Sequence, residues 1–202
     1  MVRLYSYVVR YDIGFAPNPF YGWCTLATCK QDIRRKASVG DWIVGTGSKG
    51  HGADGRLVYA MRVDEILTFD IYWNDPRFSR KRPDRRGSIK RAYGDNIYHR
   101  GPSGQWVQED SRHSLSDGSP NQGHIDKDTG TDAVLASQQY TYWGAQGPDI
   151  PKRLREGKLD LVHAVQSHRC RFSDAMRDEA IAWLTSLEPG VHADPADWSH
   201  SQ

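Results

Sequence analysis

At 202 residues the chain is long enough to bury a real core in one domain, and its 19 glycines and 10 prolines mark it as rich in loops. No apolar run approaches the roughly 20 residues that cross a bilayer, and the opening MVRLYSYVVRYD alternates rather than forming a basic-then-apolar leader; a cytoplasmic protein without membrane contact is expected. A formal net charge of +2 singles out no partner, and three cysteines are too few, and odd in number, for a disulfide framework.

In chain order, LYSYVVRYD (Leu4 to Asp12) is a strand by its β-branched and aromatic content. GFAPNP breaks it, CTLATC is a second strand, and KQDIRRKA is a short helix stopped by SVGD. A buried strand begins at Trp42 and dissolves into a glycine-rich loop, GTGSKGHGADG. The longest strand signal runs from Leu57 to Tyr72, bent near Asp64 and Glu65. A basic insertion (about 76–94) follows, then a short hairpin, DNIYHR with QWVQED, and a polar irregular loop (about 111–131). AVLASQQYTYWG returns to strand, and PDIPKRLREG reads as a short helix with Pro151 in its first turn and Gly157 beyond its end. Ser173 caps a final amphipathic helix carrying Met176, Ala180, Trp183, Leu184 and Leu187 at helical spacing. The expectation is an α+β single domain over 1–188, a small open β-barrel or strongly bent sheet with short helices and one C-terminal helix, followed by a polar tail over 189–202.

Certain residues carry candidate chemistry. RFSRKRPDRRGSIKR (Arg77 to Arg91) holds eight cations and one acid; Arg80, Lys81, Arg82, Arg85 and Arg86 are candidates for nucleic-acid phosphate, because clustered cations release counterions on binding. Cys24 and Cys29 lack the second pair of a structural zinc site, so no metal and no cofactor is expected. Gly45, Thr46, Gly47 and Ser48 would let a ligand approach the backbone closely. Cys29 beside Lys30 is a candidate nucleophile, provided that His99, His113 or His124 folds against it.

The segments YDIGFAPNPFYGWCTLATCKQDIRRKASVGDWIVGTGSK, LVYAMRVDEILTFDIYWNDPRF, DNIYH and VLASQQYTYWGAQGPDIP resemble the nucleotide modification associated domain of the second type, with Pro17, Asn18, Pro19, Phe20, Cys29, Lys30 and Arg34 in register. The helix-then-VGD-then-strand pattern is similar to the PUA-like superfamily, which includes EVE, ASCH and YTH domains. The resemblance implies a PUA-like fold and a place in bacterial or phage systems that make, recognise or remove modified bases. The implied partner is a nucleotide or modified nucleobase, free or in DNA. A pocket of that kind would draw its walls from Phe20, Trp23, Trp42, Tyr140 and Tyr142, with stacking worth about 1–3 kcal/mol per base. Asn18, Asn96, Thr46 and Ser48 would read edges, and Lys30 and Arg34 would hold a phosphate. An enzyme that cleaves a glycosidic bond or transfers a group would instead draw on His124, Asp126 and Asp128 in HIDKD as acid, base or ligand.

Overall fold

The computed structural model describes residues 2–155, 160–163, 165 and 167–200. Gly157, expected just past the end of a helix, lies outside them. The elements in chain order are β1 (Leu4–Val8), β2 (Cys24–Leu26), α1 (Gln31–Lys36), β3 (Trp42–Thr46), β4 (Leu57–Arg62), β5 (Glu65–Leu67), α2 (Phe69–Asn74), α3 (Ile89–Ala92), β6 (Tyr98–Arg100), β7 (Trp106–Gln108), α4 (Gln122–Thr129), β8 (Val134–Ser137), β9 (Tyr140–Tyr142), α5 (Asp174–Thr185) and β10 (Gly190–Val191). They sort into two compact units, one of residues 1–13, 37–64 and 137–202 and the other of 14–36 and 65–136. The α+β class holds. Among the described residues no sheet closes into a barrel, and in place of one bent sheet the strands form three. No helix of the described residues is long and apolar enough to cross a membrane.

The first unit is built on a mixed sheet in the order β1-β3-β4-β9-β10, parallel at each edge and antiparallel within. Leu4, Trp42, Val44, Leu57 and Ala60 pack with Ala180 and Leu184 of α5, whose Ser173 accepts from the Met176 amide as a helix cap. The segment after Pro189, expected as a tail, supplies β10 and a buried Trp198 whose indole donates to the Ile13 carbonyl. The helix expected from Pro151 is a single 3-10 turn, Lys152–Leu154.

Gly45 and Gly47 of this unit are packing devices. Gly45 pairs with Tyr59 across β3 and β4, and a Cβ there would lie 2.3 Å from the Tyr59 ring and 2.6 Å from Val9. A Cβ on Gly47 would meet the Ala53 carbonyl at 2.1 Å. The close approach that the Gly-Thr-Gly run permits is taken by the protein's own ring and backbone, not left for a ligand. Gly45→Ala is expected to cost about 1–3 kcal/mol, the range for overpacking a tight interior. Urea denaturation checks it, and an unchanged midpoint would mean that the Tyr59 ring is free to move.

The second unit holds the sheet β2-β8-β5, the β6–β7 hairpin and four short helices. The strand expected to run to Tyr72 stops at Leu67, because the Thr68 hydroxyl caps α2 by accepting from the Ile71 amide. The polar stretch 111–131 is likewise not all irregular. Asn121 caps α4 through the His124 amide, and α4 buries Ile125 and Asp128. HIDKD is thus the body of a helix, which separates its exposed residues from its buried ones by the helical period.

Candidate active site

The site grows from a strained turn. Between β2 and α1, Cys29 (φ 57°) and Lys30 (φ 38°) both occupy the left-handed region that side-chain-bearing residues avoid. Such strain persists only where surrounding bonds impose it. The Cys29 amide donates to Asp128 Oδ1 at 2.8 Å, and the Cys29 carbonyl accepts from Arg34 Nε at 2.9 Å. Arg34, only 1% exposed, also donates to the carbonyls of Asp128, Thr131 and Ala133 at 2.6, 3.2 and 2.7 Å. It was expected to hold a phosphate; its donors are spent instead on fastening the Cys29 turn to the end of α4.

Asp128 faces the same turn from α4. Its Oδ2 accepts from His113 Nδ1 at 2.7 Å and from the Tyr98 hydroxyl at 3.0 Å, and that hydroxyl accepts from Gln108 Nε2 at 3.0 Å. With Nδ1 committed to the carboxylate, His113 turns Nε2 toward Cys29 Sγ, 3.8 Å away. The His124 ring stacks on His113 with centroids 4.0 Å apart, and Phe15 meets the His113 ring edge-on at 4.8 Å. Cysteine, imidazole and carboxylate therefore stand in line: sulfur, base, and the acid that orients the base.

The electrostatics follow from burial and pairing. Burial opposes charge on the 9%-exposed His113, but the hydrogen bonds to Asp128 and Cys29 outweigh it and push the imidazole up to about 9. Burial would raise the Asp128 carboxyl, yet its bond to His113, the His113 charge and the Cys29 amide bring it below the usual carboxylate range. His124 moves down, through burial and then the charge of His113. Burial and the nearby Lys127 lower the Lys30 ammonium, against a raising contribution from Cys29. Cys24 makes the contrast: fully enclosed, its thiol is pushed up to about 12 and has no access to a substrate.

His113, His124 and Asp128 each offer one ligand atom, all within 4.8 Å of one another, so this cluster is also where a cation of the zinc type would find nitrogen and oxygen donors. His99, the other histidine considered beside Cys29, bonds Glu109 at 2.9 Å and stacks on Trp73 instead. Asp126 is exposed on α4 and accepts from Gln122.

The residues expected to wall and read a pocket divide between the two units. In the second, Asn18 is fully buried and bonds Lys81, the Tyr93 carbonyl and the Phe20 amide. Asn96 is buried on the carbonyl of Tyr72, Phe20 is 4% exposed, and half-buried Trp23 packs on Phe78. In the first unit, Thr46 donates to the Tyr7 carbonyl, Tyr142 is buried on Asp12, and Ser48 is half-buried. Trp42 and Tyr140 do meet, lining a cleft of about 170 Å³ with Thr141 and Leu184. Tyr98 and Gln108 are contributions that no spacing or motif announced, since each sits on a three-residue strand of a hairpin.

A family model, nucleotide modification associated domain 2, matches residues 1–202, and the chain belongs to that family. No curated protein and no solved structure matches it.

Proposed function

We propose that this member of the nucleotide modification associated domain 2 family is a thiol-dependent enzyme that transfers a group on a nucleotide or modified nucleobase. The carrying observation is the line Cys29 Sγ–His113 Nε2–Asp128 Oδ2, at 3.8 and 2.7 Å. With the imidazole pushed up to about 9, the proton shared with Cys29 rests on His113 Nε2, the thiolate attacks an electrophilic carbon of the substrate, and a C–S bond forms. The leaving group takes the proton from Nε2, and water or an acceptor then displaces the sulfur, giving its proton back to His113 Nε2. Asp128 stays ionised and holds the imidazole in register. Group transfer is favoured over glycosidic-bond cleavage because that cleavage needs a carboxylate free to face the sugar. Here the one carboxylate of the cluster is 1% exposed and committed to His113, Tyr98 and Cys29. A thiol nucleophile also accords with a reducing cytoplasm, and the PUA-like relation belongs to the same reading, supported by the sequence segments alone.

A second reading, recognition of a base without chemistry, draws on the cleft lined by Trp42 and Tyr140. One experiment separates the two. The protein is incubated with nucleosides, nucleotides and oligonucleotides bearing modified bases, and then analysed by intact and peptide mass spectrometry. A covalent increment on Cys29, absent in Cys29→Ser and slower in His113→Ala, is the expected result. A panel that raises the melting temperature but leaves no adduct, with Cys29 alkylated by iodoacetamide no faster than the exposed Cys170, would favour the binding reading.

A further inference from the structure

The eight cations between Arg77 and Arg91 do not form a uniform solvated run. Asp75 caps a 3-10 helix, Pro76–Lys81, by accepting from the Arg77 amide, and Phe78 and Lys81 anchor it as fully buried residues. Asp84 then closes a turn by accepting from the Arg86 amide at 3.1 Å, and Ser88 leads into α3. This shelf sorts the cations. The Arg77 guanidinium is saturated by Glu65 and Asp75. Lys81 Nζ donates to the backbone and side-chain oxygens of Asn18 at 2.9 and 2.8 Å, out of reach of any phosphate. Arg82 bonds the Trp73 carbonyl and lies over its ring, and half-buried Arg91 donates to the Arg80 carbonyl.

Four cations are left facing solvent: Arg80, Arg85, Arg86 and Lys90. Among the described residues only Arg85 of these four forms an ion pair, with Asp110 at 4.0 Å; the Asp84 carboxylate holds the Arg86 amide instead. In a chain of net charge +2, with 25 acidic residues to intersperse, such a set is a local excess of positive charge. A second observation shapes it. The loop at Pro19–Trp23, turned at Tyr21 (φ 64°), runs under the shelf. The Arg80 guanidinium lies 4.3 Å over the Tyr21 ring and Lys90 Nζ 5.0 Å over Phe20. Ring contact restricts two long side chains that would otherwise wander, so their charge is presented at lower entropic cost. Four exposed cations above an aromatic floor, outnumbering the nearby acids Asp84 and Asp110, match a row of phosphodiesters better than one small anion.

We propose that this shelf binds the phosphate backbone of a polynucleotide, so that the base acted on by Cys29 is carried within a strand. The substrate assignment rests on the reading of the thiol centre; the binding surface does not. The test is fluorescence anisotropy with a labelled single-stranded 20-mer, its duplex, and inorganic polyphosphate of matched charge, in 25–200 mM NaCl. The wild type is compared with Arg85→Ala/Arg86→Ala/Lys90→Ala, whose three side chains hold no hydrogen bond among the described residues, and with Cys29→Ser. Wild type is expected to bind the oligonucleotides, the triple variant to bind them more weakly, and its plot of log K against log salt to flatten by about two to three. Cys29→Ser is expected to bind as wild type. No oligonucleotide binding at 50 mM NaCl, an unchanged slope in the triple variant, or polyphosphate bound as well as DNA would each overturn the proposal. If the shelf binds DNA while Cys29 forms no adduct, the thiol reading fails alone. If Cys29 reacts with free nucleotides and no strand binds, the shelf proposal fails alone.

Discussion

Cys29→Ala is expected to lower turnover of the substrate that forms the Cys29 adduct by at least about 10⁴-fold, and His113→Ala by a similar factor, because nucleophile and base act as one unit. The same logic makes their effects non-additive. The double variant should lose no more than the worse single one, since neither group does anything useful without the other. Steady-state kinetics on the three variants, with near-ultraviolet circular dichroism as the check on folding, measures both points. Cys29 is half-buried with its sulfur held through 3.8 Å to His113, so an Ala there removes little packing. Single variants that keep activity within tenfold of wild type, or losses that multiply in the double variant, would remove Cys29 and His113 from the chemistry.

Asp128→Asn is expected to destabilise the protein by about 3–5 kcal/mol, the cost of removing one partner from a buried pair. Four donors converge on this residue: the Cys29 amide, the His113 ring, the Tyr98 hydroxyl and, on its backbone carbonyl, Arg34. An amide carries one acceptor oxygen and two donor hydrogens in place of two acceptor oxygens, so it cannot satisfy the three that meet the side chain. The variant should also flatten the dependence of stability on pH. His113 is raised from 6.5 to about 9 in the folded protein. The stability from that shift is therefore fully present below pH 6.5, is lost as pH rises toward 9, and is gone above it. A shift of this size corresponds to about 3 kcal/mol. Asp128 is lowered, so its own contribution is present above its ordinary value near 4 and is lost on acidification. Wild type should be most stable between about pH 4 and 6.5 and should weaken on going to pH 9.5. Asp128→Asn should lose that alkaline decline, and so should His113→Gln. Urea titrations at pH 5.5 and 9.5 decide the matter; a wild type equally stable at both would mean that His113 gains nothing from Asp128.

Local chemistry along the chain determined which residues could be core, cap or turn. Leu4 to Val8 and Trp42 to Thr46 alternate or run apolar and become β1 and β3. Ser173 followed by an amphipathic period becomes α5. Glycine and proline mark the breaks, because backbone freedom is a property of the residue itself. Cys29 could be named from its neighbour Lys30, and His99, His113 and His124 as the histidines able to meet it. What no local signal carried is the choice among histidines. Residues 29, 113 and 128 are joined only when α4 forms in a stretch that composition reads as irregular, and its Asn121 cap is one polar residue among many. The tertiary structure also reversed roles that charge and aromaticity suggest. Arg34 and Lys81 look like phosphate ligands in sequence, yet both are buried against carbonyls of their own unit. Phe20 looks like a rim residue beside prolines, yet it is enclosed. The reason is physical: a side chain's charge or ring is fixed by its identity, but its value to a ligand depends on which groups it already satisfies. That is settled by contacts between residues tens of positions apart.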